Sequence, residues 1–297
     1  MTHIAHAILH RFAYNTSVPS IPDRLPCQMG DGQFEDLRME TPKPHGAYEL
    51  KFLIDEERAQ RIMSWARSHL NPDPHAGGEQ GDAYLVNSLY LDTPNLDVFH
   101  RSELFRQRKY RLRRYGSESR IWLEVKRKRR GLVRKHRVSI DDHRITQHLT
   151  EPADTEWDGA WFRQRLDELA LRPVCQVTYE RFARVGTTTS GTMRLTIDSN
   201  LNGCLASAWQ VPSGPLNEVC LLENHRILEL KFQVVMPLLF RRLVEQERLL
   251  TTAFSKYRTS VEECVPLDWI AGDWIAGDSI SADWANDSVK SSRGIAP

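Results

Sequence analysis

Glu49-Leu50-Lys51-Phe52 recurs unchanged as Glu229-Leu230-Lys231-Phe232, and Glu124-Val125-Lys126 repeats the acid–aliphatic–base order between them. The 20 glutamates and 9 lysines of the 297 residues would give about 0.6 such spacings by chance. Each word sits in an apolar, strand-like run. Residues i and i+2 of a β-strand point to the same side of the sheet. Every word therefore sets one acid and one base on a shared face, with an aliphatic residue behind.

The same alternation spreads outward from these words. Arg111 and Arg113 alternate with Tyr110, Leu112 and Arg114. Glu124, Lys126 and Lys128 alternate with Leu123, Val125 and Arg127. Lys135 and Arg137 alternate with His136 and Val138, and Arg194, Thr196 and Asp198 with Met193, Leu195 and Ile197. Eight segments read as strands: 46–54, Tyr84–Asp92, Lys109–Tyr115, Ile121–Lys128, Leu132–Ile140, Val174–Val185, Thr192–Asp198 and Arg226–Val234. A solvated charged face explains one or two such strands. Seven or eight charged faces need a cover for as many apolar ones. Closing the strands into a barrel, with charges inward and helices over the apolar exterior, meets that need. The expected fold is α+β: a closed antiparallel eight-stranded β-barrel tunnel with a charged interior and helices packed outside.

Helices are expected in three places. Asp55 caps the first, with Glu56 and Glu57 in its first turn and Ile62, Met63, Trp65, Ala66 and Leu70 as its apolar stripe. A second covers about 160–171. A third, long helix runs from Pro237 to about Val261. Residues 1–45, rich in Pro, Asp, His and Gly, read as a loose extension. The catalytic-size domain spans 46–262. The stretch 263–297 carries a five-residue repeat (DWIAG, DWIAG, DSISA, DWAND) and reads as a mostly disordered tail, whose Trp269, Trp274 and Trp284 offer a docking peptide for a protein partner.

Net charge is +1, but Arg101–Arg137 holds sixteen Lys/Arg against three Glu, a local +13. Such a block calls for an anionic partner. An Arg- and Lys-lined channel repels itself when empty, and polyphosphate supplies about one negative charge per phosphoryl unit. The acids among the bases either hold geometry by pairing or bind a divalent metal that bridges to phosphate. Cys27, Cys175, Cys204, Cys220 and Cys264 are scattered and odd in number, without Cys-x-x-Cys. They argue against a zinc site or a disulfide framework and for a reducing, cytoplasmic setting. No apolar run reaches the length of a membrane span.

Nine ordered words resemble the VTC domain, the polyphosphate polymerase catalytic domain of the vacuolar transporter chaperone complex, a relative of the CYTH phosphatases among the triphosphate tunnel metalloenzymes. They are YELKFLI at Tyr48–Ile54, SLYLDTP at Ser88–Pro94, KYRLRRYG at Lys109–Gly116, LEVKRK at Leu123–Lys128, VRKHRV at Val133–Val138, YERFA at Tyr179–Ala183, MRLTIDSNL at Met193–Leu201, LELKF at Leu228–Phe232 and FSKY at Phe254–Tyr257. The resemblance implies that Lys51, Arg111, Arg113, Lys126, Lys135, Arg181 and Lys256 are the inward bases that hold a triphosphate and a growing chain. Tyr179, Lys231 and Asp198 join the lining. Glu229 falls on the family's metal-binding glutamate, for Mn²⁺ or Mg²⁺, with Glu124 and Glu49 as further candidates. Residues 1–45 are too short for the sensor domain of the eukaryotic complex, so the resemblance is to a freestanding bacterial type.

The implied function is a metal-dependent polyphosphate polymerase that uses ATP. Two alternatives stay open: a tunnel triphosphatase that gives the phosphoryl group to water, and a non-catalytic binder of polyphosphate or nucleic acid. Nucleic acid is the less expected ligand, because acids interrupt the bases and the bases alternate with aliphatics.

Overall fold

The computed structural model describes residues 46–76, 81–150, 156–216 and 218–271. The expected N-terminal extension, and Trp274 and Trp284 of the repeat, lie outside them. Ten strands form one antiparallel sheet: β1 (Ala47–Ile54), β2 (Asn71–Pro72), β3 (Ala83–Asp92), β4 (Arg108–Tyr115), β5 (Arg120–Arg129), β6 (Leu132–Asp141), β7 (Arg172–Thr188), β8 (Gly191–Leu205), β9 (Val219–Cys220) and β10 (Arg226–Phe232). Their order is β2-β7-β3-β4-β5-β6-β1-β10-β8-β9, and β7 also pairs with β8. That last pairing closes β7-β3-β4-β5-β6-β1-β10-β8 into an eight-stranded barrel. The two-residue strands β2 and β9 are appendages.

The register puts the charged faces on one side of the wall. Lys51 stands opposite Glu229 and Glu49 opposite Lys231. Arg111 faces Glu124 and Lys109 faces Lys126, Lys126 faces Lys135, and Arg181 faces Asp198. The intervening aliphatics point outward. On one flank Phe52, Ile54, Leu195, Ile197, Leu228 and Leu230 pack under helix α1 (Glu56–His69), through Ala59, Ile62 and Ala66, and under a later helix through Phe240 and Leu243. Burying a side chain such as Phe52, fully enclosed here, contributes roughly 1.5–3 kcal/mol. On the other flank Leu89, Leu112, Ile121, Leu123 and Val177 pack with Phe162, Leu166, Tyr257 and Val261. The outer layer under the helices is thus apolar, and the inward face carries most of the charge.

The capped helix forms as the sequence implies: the Asp55 side chain accepts from the Arg58 amide at 2.8 Å. Short helices α2 (Asp97–His100) and α3 (Ile145–Thr150), with a 3-10 turn at Asp142–Arg144, join β3 to β4 and follow β6. Helix α4 (Ala160–Glu168) occupies the second expected position.

The third expected helix requires correction. It is two helices, α5 (Leu238–Gln246) and α6 (Lys256–Cys264). β1 pairs with β6 through only two residue pairs, Ala47 with Val133 and Tyr48 with Leu132. The rest of that β1 edge is left with unsatisfied backbone groups, which a buried wall does not tolerate. Residues 247–255 supply the partners. Thr251 bridges to Phe52, and the Thr252 amide donates to the Lys51 carbonyl at 2.8 Å. Arg248 turns with φ 49°, and the Ser255 side chain then caps α6.

The boundary expected at 262 falls inside α6. A further helix, α7 (Leu267–Ala271), follows it, with Trp269 packed against the core. Among the described residues no helix is long and apolar enough to cross a membrane. Cys175, Cys204, Cys220 and Cys264 are free thiols.

Candidate functional site

The barrel lumen collects every lysine, arginine and acid named for the site. Four carboxylates organise it. Glu229 on β10 is buried and takes the Lys231 ammonium at 2.5 Å on Oε2 and Lys51 at 3.3 Å on Oε1. Lys256 and Arg181 stand at 3.9 Å. Glu49 on β1 accepts from Lys126 at 2.9 Å and faces Lys51 at 3.6 Å. Glu124 on β5, fully buried, receives both Nε and Nη2 of Arg111 on one oxygen, at 2.7 and 2.6 Å. Asp198 on β8 holds Arg181 by two bonds of 2.7 Å and Lys256 at 2.6 Å.

Burial alone would raise these carboxyl pKa values. The surrounding cations outweigh it. Glu229 is drawn well below the usual range by Lys231, Lys51, Lys256 and Arg181. Glu49 is lowered against both burial and Glu229 by Lys231, Lys126 and Lys51. Glu124 is lowered against burial by Arg111, Lys135 and Arg113. All remain ionised.

The cations divide into satisfied and unsatisfied groups. Burial would lower Lys51, but Glu229 and Glu49 hold it above the ordinary lysine value. At the next rung Lys109, Lys126 and Lys135 stand side by side on β4, β5 and β6. Burial, then neighbouring cations, drive Lys109 well below the lysine range. Lys126 is pushed down to about 8, first by burial and despite Glu49. Lys135 is also well below the lysine range, by burial first and against the pull of Glu124. Lys135 keeps accessible surface although its charge is poorly solvated. Its register with Lys126 and its interaction with Glu124, Arg111 and Lys231 turn it toward the lumen, while it also borders the outer cavity beside Arg134. Lys109 donates to the Ser255 hydroxyl at 2.6 Å. Arg113 has Ser88 Oγ at 3.0 Å as its hydrogen-bond acceptor.

Tyr179 supplies an aromatic surface to this charge. The Lys256 ammonium lies 4.6 Å from its ring centroid, and Arg181 and Arg113 lie at 5.2 and 5.9 Å. Its buried hydroxyl has no hydrogen-bond partner. Lys256 itself arrives from α6, which Asp92 anchors. That buried carboxylate accepts the amides of Thr93, Val98 and Phe99 at 2.7–2.9 Å and the hydroxyl of Tyr257.

Of the three acids named for a metal, Glu49 and Glu229 converge on the same Lys51 ammonium. Glu124 sits with Arg111 instead, yet its Oε1 is buried without a hydrogen-bond partner. Among the described residues no three acid, His or Cys side chains cluster. Two carboxylates suit a hard, Mg²⁺-like ion, which takes few protein ligands and fills the rest of its shell with water or phosphate oxygens.

Lys109, Arg137 and Ser255 belong to the site and were not singled out in the sequence. Strand parity with Arg111 and with Lys135 marks the first two. Ser255 carries no signal beyond helix capping. Arg114, which shares the outer face of β4 with Arg108, is buried outside the lumen on the Val211 carbonyl and on Asp142.

Residues 46–265 match the VTC domain family. The chain belongs to that family. No curated protein matches it in sequence. Among solved structures it is similar to an adenylate cyclase candidate from Bacillus halodurans, at 13% identity and TM-score 0.43, covering 72% of this chain and 95% of that one. A Pyrococcus horikoshii protein gives 12%, 0.42, 73% and 98%. A Hippeastrum adenylyl cyclase candidate, described as having a dominant triphosphatase activity, gives 14%, 0.42, 78% and 98%. At those values the likenesses add no weight to the assignment. The chain is thus a VTC-domain protein whose described residues close into a charge-lined barrel.

Proposed function

We propose that this protein is a metal-dependent polyphosphate polymerase that passes the terminal phosphoryl group of ATP to a phosphate chain inside the barrel. The observation that carries the reading is the lysine rung. Like charges directly opposite one another on neighbouring strands are destabilising. Lys109, Lys126 and Lys135 nevertheless stand in one row facing an enclosed space, an arrangement complementary to a polyanion and to little else.

Phosphoryl transfer asks for positioning and charge neutralisation more than for a covalent catalyst. A terminal oxygen of the acceptor chain forms the bond to the γ-phosphorus. The bond from that phosphorus to the β–γ bridging oxygen breaks, and ADP leaves. Arg111, Arg113, Arg181 and Lys256 would hold the donor phosphates, and the lysine rung the acceptor. The lining from Lys109 to Arg113 runs about 13 Å at roughly 3.3 Å per residue, room for both. Glu229 and Glu49 would hold the divalent ion, which would supply charge neutralisation to the phosphates. Cations paired to these acids, Lys51 and Lys231 above all, would be released to phosphate as the ion takes their place.

Incubation with ATP and Mn²⁺, followed by sizing of the phosphate products, tests this reading. Long chains are expected. Orthophosphate as sole product would replace the polymerase with a triphosphatase. Glu229→Gln should abolish turnover while tripolyphosphate still binds, and unchanged turnover would remove Glu229 from the metal site.

A further inference from the structure

Strand parity turns Lys109, Arg111, Arg113, Lys126, Lys135 and Arg137 of the basic block to the lumen side, with Arg120 and Lys128 on the same face at the two ends of β5. The remaining arginines of the block need another explanation. On the outer face Arg108 pairs in register with Arg127, and Arg127 with Arg134. Three guanidinium stems thus leave adjacent strands about 4.8 Å apart. This arginine row is the reverse side of the lysine rung, one residue out of step on each strand. Among the described residues none of the three side chains has an ion-pair or hydrogen-bond partner.

The row borders a cavity of about 370 Å³ floored by Tyr110, Val125 and Trp161. Lys128, Arg129 and Arg130, all exposed, lead over the β5–β6 hairpin from the inner rung to the outer one. The indole of Trp161 already carries the His136 ring at 3.7 Å and 19°. The cavity therefore lacks the free aromatic platform that sequence-tolerant binding of single-stranded nucleic acid uses. Repeated guanidinium groups without acids between them suit a ligand that repeats a small charged unit.

We infer that Arg108, Arg127 and Arg134 form an exterior binding site for a linear phosphoanhydride chain, continuing the track of a polymer whose reacting end lies in the tunnel. The continuity rests on the polymerase reading; the binding does not, because it is measured without turnover.

The test compares wild type with Arg108→Gln/Arg127→Gln/Arg134→Gln, and with Arg127→Gln alone should the triple variant not fold. Affinities are measured for long-chain inorganic polyphosphate and for tripolyphosphate, which is short enough for the tunnel. Three phosphate contacts with a salt slope of about −0.7 each predict that a roughly fourfold rise in salt costs wild type about 18-fold more long-chain affinity than it costs the triple variant. Tripolyphosphate affinity should stay unchanged, and Arg127→Gln alone should lose about a third of the slope difference between wild type and the triple variant. Equal long-chain affinity in wild type and variant overturns the inference. So does equal loss for both ligands, which would mean that the row acts through the tunnel or the fold. Tighter binding of single-stranded RNA than of polyphosphate by the same arginines overturns it as well. If ATP yields no polymer while the long-chain affinity difference stands, the polymerase reading fails and the exterior site survives.

Discussion

Asp198→Asn should expose the conflict on which the tunnel is built. The substitution keeps the shape of the side chain and removes the charge that Arg181 meets at 2.7 Å by two bonds and Lys256 at 2.6 Å. Both cations stay buried. Removing one partner of a buried ion pair costs about 3–5 kcal/mol. Two features of the site reduce that figure. Glu229 remains 3.9 Å from each cation, and its own repulsion with Asp198 is relieved. The lower end, about 3 kcal/mol, is therefore expected, which for a domain of this size lowers Tm by roughly 6–12 °C. Tripolyphosphate should then recover more stability in the variant than in wild type, because the freed charges become available to it. The assay is thermal unfolding of both proteins with and without tripolyphosphate at fixed ionic strength. A variant as stable as wild type, or one whose deficit is untouched by the ligand, would refute the claim that these cations are poised for an anion.

The pH response follows from Lys126, held near 8 against an ordinary 10.5. Between roughly pH 8 and 10.5 the unfolded chain keeps a proton that the native chain has shed, so this lysine adds stability as pH rises through that window and adds least below it. A bound polyanion favours the ammonium instead. Tripolyphosphate affinity should fall as pH climbs through 8, and binding near that pH should take up protons, measured by calorimetry in buffers of different ionisation heat; proton release would contradict the assignment. Tyr257→Phe removes the hydroxyl that Asp92 accepts while three backbone amides remain on that carboxylate. A loss of about 1–3 kcal/mol in chemical denaturation is expected, with weaker tripolyphosphate binding because α6 positions Lys256. A stability loss with binding intact would separate the anchor from the site.

The barrel was readable because the period-two alternation was carried by charge. Arg111-Leu112-Arg113 and Glu124-Val125-Lys126 cannot both bury their apolar face and solvate their charged one unless the wall curves on itself. The three acid–aliphatic–base words do share a face, as spacing demands, but spacing does not fix the partners. Glu229 takes its own Lys231, Glu49 prefers Lys126 from β5 over Lys51, and Glu124 takes Arg111 from β4. Those choices depend on register across strands, which a single sequence does not display. The break between α5 and α6 was hidden for a related reason. Leu238–Val261 keeps an apolar stripe, and only the open edge of β1, far away in sequence, requires Thr251 and Thr252 to leave the helix. Lys256 reaches the lumen by the same tertiary demand.

The stopper at that edge has a mechanical consequence. Seven of the eight joints between staves are full backbone ladders; the eighth is two residue pairs of β6 plus a short piece of connecting chain. Lifting this piece and parting the two residue pairs would split the ring lengthwise without disrupting any other joint. The same piece leads directly into Lys256, so it would also pull an ammonium away from Asp198. Opening the wall and loosening the grip on a bound polymer would then be one movement, and a cargo with no free end could be admitted sideways rather than threaded.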